Sequence, residues 1–415
     1  MSIDRKVEMP VVVLGARRHG ALGIVRSLGR LGAPVHVVDS DSWVPAAHSR
    51  YCRSQSIWNI ESEPAAASIE FLGELHQKIG RRALLIPTAD NMAMFVDENA
   101  AALREGYSFP ERPDGLARTL CSKKQMYFLA KRHGVPTAET SFPLCRQDVM
   151  EYLEQARFPI MLKGIYGKKL KQRAGNPMLI VRSAAELLER YDAMEDPEEP
   201  NLMLQEYIPG GEDTVWMFNG YFDQASECVV GFTGKKLRQC PVYTGPTSLG
   251  VCLHNEQVYR TTRDFMRSIG YRGILDIGYR FDARDGQYKL LDVNPRIGAT
   301  FRLFVAENGM DVARALYLDM TGQPVISSNA AEGRKWMVED CDLVSSIQHY
   351  REGNLNGRQW LRSLEGVHEG ALWASDDPLP LASMLLRDAR EMLAQAATTL
   401  RGRQPRVPKD TWAKA

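Results

Sequence analysis

The chain has 415 residues, of which 44% are hydrophobic and 25% are charged, and its formal net charge is +1. This length predicts two to four domains, and the composition is that of an ordinary globular protein. The near-neutral charge excludes nucleic-acid binding through a global basic field, so we expect no nucleic-acid partner.

The cysteines and the apolar runs bear on the cellular location. The seven cysteines are scattered, odd in number and form no C-x-x-C pair, which favours a reducing, cytoplasmic compartment over a disulfide framework or a zinc site. Residues 1–10 are charged and precede only a short apolar run, unlike a signal peptide. No apolar span reaches the roughly 18 residues of a transmembrane helix, so we expect no membrane-spanning segment.

The N-terminal part of the chain alternates apolar runs with a helical pattern. Pro10–Leu14, Val35–Val38 and Ala83–Ile86 are continuous apolar runs that predict buried parallel strands. A glycine-rich turn, Gly15–Gly23, follows the first run, but its G-x4-G-x2-G spacing departs from the dinucleotide fingerprint. The spacing disfavours NAD or FAD, but the backbone N–H groups of the turn still leave a place where an anionic small molecule could bind at the sheet edge.

Two polar residues follow the strand at Ala83–Ile86. Thr88 and Asp90 lie at its carboxyl end, the usual ligand side of a parallel sheet, where they could bind substrate. They could equally cap a helix predicted over Met92–Leu103. The sequence leaves both interpretations open.

Lysines mark the ends of two short elements in the middle of the chain. Lys123 follows Ser122 at the start of a helical pattern, and Lys163 ends the apolar strand Phe158–Lys163. A basic stretch bounded by glycines, Gly164–Gly175, is predicted to be a loop. Its basic residues are Lys168, Lys169, Lys171 and Arg173.

A strand predicted at Leu202–Tyr207 breaks at Ile208-Pro209 and is followed by two candidate carboxylates, Glu212 and Asp213. A strand broken by proline leaves backbone N–H and C=O groups free to bind an adenine ring, and a nearby carboxylate suits ribose hydroxyls. The acidic run Glu195–Pro200 before it is predicted to be a surface linker.

The strongest signal is a hairpin of two strands, Ile274–Phe281 and Tyr288–Val293, joined across Asp285-Gly286. On the second strand Asp292 and Asn294 share a face, because residues two apart point the same way. Asp276 lies on the first strand and could face them. Carboxylate and amide oxygens are ligands that suit Mg²⁺ or Mn²⁺.

Arg296 follows Pro295, which cannot extend the strand ladder, so its guanidinium leaves the sheet beside the predicted metal site. Taken alone, this hairpin could be a surface feature with turn acids, and each lysine could be a solvated surface lysine. The joint order of lysines, broken strand and metal hairpin favours a clamp for a nucleoside triphosphate, whose charged phosphates need cations.

This order of elements resembles the ATP-grasp superfamily over residues 10–324. The hairpin at residues 282–302 and the segment at residues 26–29 are most similar to carboxylate–amine ligases of the D-aspartate ligase type. The resemblance implies a mixed α/β and α+β fold with an N-terminal doubly wound domain, a lid domain and a C-terminal α+β domain. The implied domains are 1–113, 114–199 and 200–323, with an extension at 324–415.

The resemblance also implies roles for individual residues, with ATP and Mg²⁺ (or Mn²⁺) as cofactors. Phosphate and adenosine contacts fall on Lys123, Lys163, Lys169, Gln205, Glu206, Ile208 and Glu212. Metal ligands fall on Asp276, Asp292 and Asn294, catalytic roles on Arg296 and Arg238, and substrate contacts on Thr88 and Asp90.

The implied reaction activates a small-molecule carboxylate as an acyl phosphate, which an amine then attacks to form an amide. The acceptor could be a cell-envelope precursor, and a homodimer is possible. Two other functions stay open: an ATP-binding regulatory or scaffold subunit without turnover, and a bicarbonate-activating carboxylase. The absence of a Met-Lys-Met biotinyl signature weakens the carboxylase alternative.

The sequence departs from the superfamily pattern in the metal hairpin. Asp292 replaces the usual glutamate, and the usual upstream carboxylate position falls on Gly278, two residues after Asp276. We expect Asp276 to serve instead.

Beyond Pro324, a strand is predicted at Trp336–Asp340. A terminal helix with apolar residues at Leu385, Ala389, Met392, Ala396 and Leu400 either packs on the core or docks a membrane or partner. The tail after it is basic, with Arg401, Arg403, Arg406 and Lys409.

Overall fold

The computed structural model describes residues 8–17, 19–175 and 178–400, with the side chains of these residues apart from those at 168, 388 and 391–400. The basic tail residues Arg401, Arg403, Arg406 and Lys409 lie outside the described residues, as do the side chains of Met392, Ala396 and Leu400. Within the described ranges, three β-sheets organise the chain.

The first sheet is parallel throughout, with strand order β3-β2-β1-β4-β5. Its strands are β1 (Val11–Leu14), β2 (Val35–Asp39), β3 (Cys52–Ile57), β4 (Ala83–Pro87) and β5 (Tyr107–Ser108). All four residues of β1 are fully buried, and alternate residues enter two separate apolar clusters on opposite faces of the sheet. The apolar run at Pro10–Leu14 is thus the central strand of the predicted doubly wound sheet.

Helices cover both faces of this sheet. They are α1 (His19–Gly29), α2 (Ala65–Ile79), α3 (Asp90–Glu98) and α4 (Ala100–Leu103). The single helix predicted over Met92–Leu103 is therefore wrong. Asn99 separates α3 from α4, and its side-chain amide donates to the carbonyl of Phe95 at 2.8 Å and ends the first helix.

The second sheet has the order β6-β9-β7-β8 and is antiparallel. Its strands are β6 (Thr140–Ser141), β7 (Ile160–Gly164), β8 (Met178–Val181) and β9 (Leu202–Glu206). The helices of this region are α5 (Leu116–Cys121), α6 (Lys123–Arg132), α7 (Arg146–Leu153), α8 (Gly167–Ala174) and α9 (Ala184–Met194). The predicted boundary at 199/200 would assign β9 to the third domain, whereas in the structure β9 pairs with β7 and β6.

The loop predicted at Gly164–Gly175 is wrong, because most of it forms helix α8. Lysine, glutamine, arginine and alanine favour helix, and Leu170 is buried in the apolar cluster of the second sheet. Gly175 ends the helix with φ of +78°, a conformation that glycine adopts without steric cost.

The third sheet has seven strands in the order β14-β13-β10-β11-β12-β15-β16. The strands are β10 (Val215–Phe222), β11 (Cys228–Gln239), β12 (Thr247–Cys252), β13 (Gly273–Asp282), β14 (Gln287–Asn294), β15 (Lys335–Met337) and β16 (Val367–Gly370). The hairpin predicted around Asp285-Gly286 is confirmed as β13–β14. Helices α10 (Glu256–Ser268) and α11 (Val312–Met320) pack against this sheet.

The C-terminal extension completes the third sheet and returns to the first domain. Strands β15 and β16 extend the sheet beside β12. The strand predicted at Trp336–Asp340 stops at Met337, and a helix follows directly. The helices of the extension are α12 (Glu339–Arg351), α13 (Gly357–Ser363) and α14 (Leu379–Leu400).

Two ion pairs, one of them buried, anchor the extension to helix α1. Arg26 donates to the carboxylate of Asp377 at 2.9 Å, and both side chains are almost fully buried. Arg30 makes a two-bond contact with Asp376. None of the described helices is long and apolar enough to span a bilayer.

Candidate active site

The β13–β14 hairpin brings the three predicted metal ligands together. Asp276 pairs directly with Asn294 across the two strands, and Asp292 lies two residues before Asn294 on the same face. The Asn294 amide nitrogen lies 3.4 Å from Oδ2 of Asp276 and 3.2 Å from Oδ2 of Asp292. Two carboxylates therefore converge on one amide.

Two glycines make room for these carboxylates. A Cβ at Gly278 would lie 2.5 Å from Oδ1 of Asp292, and a Cβ at Gly298 would lie 2.5 Å from Cγ of Asp276. Gly278 stands opposite Asp292 in the strand register. A side chain at residue 278 would thus displace the Asp292 carboxylate, so the present position of Asp292 requires glycine at residue 278.

The donor set fits a hard divalent cation. No three His, Cys, Asp or Glu side chains converge as a metal site in the described part of the chain, so a cation here would use Asp276 and Asp292 with the Asn294 amide. In this structure the Asn294 amide nitrogen faces the two carboxylates and its oxygen accepts from Arg296, so the amide would have to turn to offer its oxygen to Mg²⁺. Burial raises the pKa of Asp276 to about 6, while Arg296 opposes this rise.

Arg296 joins the hairpin to the N-terminal domain. Its Nε donates to Oδ1 of Asp90 at 2.8 Å, and one Nη donates to Oδ1 of Asn294 at 3.0 Å. Its other Nη lies 3.8 Å from the carboxylate of Asp276. The guanidinium therefore lies between the predicted metal ligands and the carboxyl end of strand β4.

Lys123 and Lys163 are two lysines whose charges interact with Asp292. Lys123 is the first residue of α6, which begins there because the Ser122 hydroxyl accepts from the Gln125 N–H. Burial lowers the pKa of Lys123, against the attraction of Asp292 and Asp90. Burial also lowers the pKa of Lys163 to about 8, and the charge of Lys123 acts in the same direction.

Two further cationic side chains of the site, Lys236 and Arg280, were not predicted from the sequence. Burial lowers the pKa of Lys236 on β11, and the carboxylates of Asp292, Asp276 and Glu212 oppose this effect. Burial likewise lowers the pKa of Arg280 on β13, whose Nε is buried without a hydrogen-bond partner in the described structure. Strand alternation offered a signal, since residues 276, 278 and 280 share one face.

The predicted adenine hinge lies where β9 ends. Gln205 accepts from Nζ of Lys163 at 2.8 Å, and Glu206 accepts from Arg284 and Lys289 on the central hairpin. Ile208 is buried, and its backbone forms no hydrogen bond with any other backbone group that the structure describes. The backbone of Ile208 could therefore bind a planar ring, whereas the Glu206 N–H already donates to the carbonyl of Glu139; adenine binding here stays a prediction.

Glu212, the predicted ribose ligand, is buried and already holds protein groups. Its Oε1 accepts from the backbone N–H of Gln239 at 3.1 Å and of Tyr243 at 2.9 Å. Its Oε2 lies 3.0 Å from Nε2 of His349 on helix α12. A ribose hydroxyl would therefore have to share this carboxylate with the protein.

Arg238 and Lys169, which were predicted to act on the substrate and the nucleotide, contact side chains of the protein instead. Arg238 makes two 2.8 Å bonds to the carboxylate of Asp342 and a third to the Ser363 hydroxyl, so it anchors helices α12 and α13. Lys169 pairs with Glu199 on the surface of the second sheet. The catalytic role of Arg238 and the nucleotide contact of Lys169 stay predictions, although both side chains pair with carboxylates of the protein in this structure.

Thr88 and Asp90 do not cap helix α3, so that alternative is wrong. The Thr88 hydroxyl faces the carbonyls of Leu14 and Gly15 at 3.0 and 2.6 Å, which closes the glycine-rich turn. The N-cap of α3 is Ala89, without a side-chain bond. Asp90 instead binds Arg296, so it is the member of the pair that reaches the site.

The glycine-rich turn is engaged by a carboxylate of the protein itself. Oδ2 of Asp39, at the end of β2, accepts from the backbone N–H of Ala16 at 2.7 Å and of Arg17 at 3.1 Å. These are donors that a bound phosphate would need. Asp39 thus occupies donors that a dinucleotide or the small anion considered for this turn would both need.

Several solved structures superpose on most of this chain. The N5-carboxyaminoimidazole synthetase of Staphylococcus aureus, complexed with ADP, matches with a TM-score of 0.60 and 12% identity over 80% of this chain and 82% of that chain. The L-amino acid ligase of Bacillus licheniformis matches with a TM-score of 0.56 and 13% identity over 76% and 75% of the two chains. The chain has the ATP-grasp fold.

A third ATP-grasp structure is the biotin carboxylase domain of the 2-oxoglutarate carboxylase from Hydrogenobacter thermophilus, complexed with MgADP, ADP and bicarbonate. It has a TM-score of 0.58 and 17% identity over 79% of this chain and 73% of that chain. In sequence, the chain is 24% identical over 360 residues to the D-aspartate ligase of Enterococcus faecium (strain Aus0004), covering 81% of this chain and 83% of that protein. No protein-family model matches the chain.

Proposed function

We propose that this ATP-grasp protein is an ATP-dependent carboxylate–amine ligase. The observation that carries the proposal is the convergence of Asp276, Asp292 and Asn294 beside the backbone of Ile208, which has no backbone partner, together with Lys123 and Lys163, whose pKa values the charge of Asp292 affects. The similarity to D-aspartate ligase and to an L-amino acid ligase supports carboxylate–amine joining as the reaction.

The protein side chains supply binding and charge. Lys123 and Lys163 neutralise the phosphates of ATP, and the β9 hinge receives the adenine. Asp276, Asp292 and Asn294 would hold Mg²⁺, or Mn²⁺ in its place, which neutralises phosphate charge when bound. The substrate carboxylate takes the γ-phosphoryl group, ADP leaves, and the amine then displaces phosphate from the acyl phosphate. Arg296 donates to the oxygen that gains negative charge.

The substrates are small molecules, and we propose an amino acid as the first candidate for the carboxylate or the amine, because both ligase relatives are named for amino acids. A cell-envelope precursor as acceptor, a homodimeric assembly and a cytoplasmic location are further parts of the proposal. Thr88 shapes the turn beside the substrate pocket, and Asp90 orients Arg296 there.

A bicarbonate-activating carboxylase is the second candidate, because a carboxyaminoimidazole synthetase and a biotin carboxylase domain share the fold. A regulatory ATP-binding subunit is less well supported, since simple nucleotide binding does not require Arg296 beside the metal ligands.

The test measures ADP and phosphate release from Mg·ATP with amino acids supplied singly and in pairs, and with bicarbonate in parallel. Release that requires one carboxylate and one amine together establishes the ligase and names its substrates. Release that bicarbonate alone stimulates would favour the carboxylase. Tight ATP binding without turnover would leave positional isotope exchange in ATP to decide: exchange that depends on a carboxylate supports acyl-phosphate formation, and its absence contradicts it.

A further inference from the structure

Helix α12 carries one histidine on its inner face, and this side chain contacts a carboxylate predicted to bind nucleotide. Nε2 of His349 lies 3.0 Å from Oε2 of Glu212, and both side chains are at most 10% exposed. Residue 349 lies outside the span 10–324 that resembles the superfamily, so the resemblance implies no role for it. The role of His349 therefore has to be inferred from its contacts.

The acceptor positions of the Glu212 carboxylate are almost all filled by the protein. Oε1 accepts from two backbone N–H groups, those of Gln239 and Tyr243. Within the described part of the chain, the only hydrogen-bond partner of Oε2 is His349. An ionised carboxylate has about four acceptor positions and no donor. Nε2 of His349 therefore carries the proton of this bond, and one position on Oε2 is left for a ligand.

Glu212 lies in the chain between the predicted adenine hinge and the sheet that carries the predicted metal ligands. It begins a short turn, Glu212–Thr214, that leads from the end of β9 into strand β10. Burial lowers the pKa of Lys236, and the charge of Glu212 opposes this effect together with the carboxylates predicted to hold the metal. In a nucleotide the sugar joins the base to the phosphates. The sugar is therefore the part of a bound nucleotide that would lie nearest this carboxylate.

The turn between β11 and β12 closes around the same pair of side chains. The ring of Tyr243, whose N–H binds Glu212, meets the His349 ring edge-on with centroids 5.7 Å apart. Its hydroxyl donates to Glu352 and accepts from the amide of Asn354, just after α12. Tyr243 has a φ of +69°, and such strained residues persist where surrounding contacts hold them, often at ligand sites. These contacts fix the His349 ring against Glu212.

We propose that His349 is a positioning residue for nucleotide binding, which orients Oε2 of Glu212 to accept a hydroxyl group of the nucleotide sugar. The C-terminal extension thus completes the sugar subsite that the turn after the hinge begins. The inference rests on the nucleotide binding of the proposed function and not on the joining of a carboxylate to an amine.

A purely structural role would have the His349–Glu212 contact do no more than anchor α12. The same face of the helix has another polar anchor, because the Ser345 hydroxyl lies 3.2 Å from that of Ser248. An anchoring role predicts that loss of His349 weakens all nucleotides equally, whether or not their sugars carry hydroxyls. A positioning role predicts a loss confined to nucleotides with sugar hydroxyls.

The experiment measures the Kd of the full-length protein for Mg·ADP and for Mg·2′,3′-dideoxy-ADP by titration calorimetry, without substrates. We expect wild type to prefer ADP about tenfold, the size of effect of one hydrogen bond to a charged group. In His349→Leu the preference should fall to about twofold or less, because only ADP loses a bond. His349→Gln should restore most of it, since its amide nitrogen can donate from a position close to that of Nε2.

Ser345→Ala is the matched control, because it removes a hydroxyl contact from the same face of α12, one turn before His349. It should keep the wild-type preference. Thermal melts verify that each variant folds. If His349→Leu does not fold, His349→Asn replaces it in the comparison with His349→Gln, because its shorter amide does not reach Oε2.

Two results would overturn the proposal. One is a wild type that binds the two nucleotides equally, and the other is a folded His349→Leu protein that keeps the wild-type preference, even with weaker binding of both. A wild type that binds no ADP overturns it together with the ATP-dependent function. A protein that shows the His349-dependent preference but joins no carboxylate to an amine supports this proposal and contradicts the ligase.

Discussion

Arg296 and Asp90 are separated by 206 positions in the chain, yet Nε of Arg296 donates to Oδ1 of Asp90 at 2.8 Å. The arginine side chain is 10% exposed and the aspartate 46% exposed, so the pair lies at the mouth of the site. It connects the loop after strand β14 to the first residue of α3 in the N-terminal domain. The arginine proposed to assist acyl transfer is thus oriented by a different domain from the one that carries the metal ligands.

Replacing Asp90 with asparagine should therefore impair the reaction more than nucleotide binding. An asparagine can still accept one bond from Arg296 but removes its charge, and charge-assisted bonds are roughly twice as strong as neutral ones. We expect Asp90→Asn to lower kcat about tenfold, which corresponds to roughly 1.4 kcal/mol, with the Kd for ATP unchanged. Steady-state kinetics and titration calorimetry measure the two quantities.

The matched control for Asp90 is Glu98→Gln. Glu98 also lies on α3 and pairs with an arginine, Arg118, but on the exposed surface. It should leave kcat unchanged, because exposed ion pairs contribute little. An equal loss of ATP affinity in Asp90→Asn would contradict the positioning role.

Asp292→Asn should abolish Mg-dependent ATP turnover and leave the fold intact. The substitution removes one of the two carboxylates that converge on Asn294, and neutral amides bind Mg²⁺ far less strongly than carboxylates. Asp292 is exposed and lies above Gly278, so an isosteric amide costs little packing. Phosphate release measures activity, and a thermal melt measures the fold.

Asp285→Asn, in the turn of the same hairpin, is the control. Asp285 pairs with Lys289 away from the metal ligands and should retain activity. Wild-type turnover in Asp292→Asn would refute the metal assignment.

Nucleotide binding should take up a proton above pH 8. Burial lowers the pKa of Lys163 to about 8, so its side chain is largely neutral at pH 9 in the free protein. Bound phosphates favour the ammonium form and raise that pKa, so a proton is absorbed on binding at pH 9 but not at pH 7, where Lys163 is already charged.

Calorimetric titration with ATP at pH 9, in two buffers of different ionisation enthalpy, measures this proton uptake. Lys163→Arg should bind nucleotide without it, because a guanidinium stays protonated throughout this range. Equal uptake by wild type and Lys163→Arg would show that another group titrates.

The sequence predicted those parts of the site that depend on local pattern. Strand periodicity placed Asp292 and Asn294 on one face, and the structure adds that Asp276 stands directly opposite Asn294. The apolar run at Pro10–Leu14 predicted a strand buried on both faces, because only such a strand lacks polar alternation. These features follow from neighbouring residues alone.

The parts that the sequence did not predict depend on contacts between distant segments. The Arg238–Asp342 pair joins residues 104 positions apart, so nothing near Arg238 indicates that its guanidinium is already engaged. His349 likewise contacts Glu212 from 137 positions away, on a helix of the C-terminal extension that the sequence pattern did not predict. Helix α8 was missed because glycines at both ends suggested a loop, although the residues between them favour helix.

Lys236 offers a sharp test of whether the cationic side chains of the site assist the reaction. Its neighbour Lys235 points to the opposite face of strand β11 and is a matched control. Nζ of Lys236 donates to the carbonyl of Gly245 at 3.1 Å, and burial lowers the pKa of Lys236 against the attraction of Asp292 and Asp276. Lys236→Met keeps the length of the side chain and removes the charge. We expect kcat/KM for ATP to fall about 100-fold, the size of loss seen when a donor to developing negative charge is removed.

Lys235→Met should change kcat/KM less than about twofold, since a solvated lysine contributes little. Steady-state kinetics of both variants, with circular dichroism to verify folding, makes the comparison. Equal effects of the two substitutions would mean that general charge, and not the position of Lys236, governs turnover.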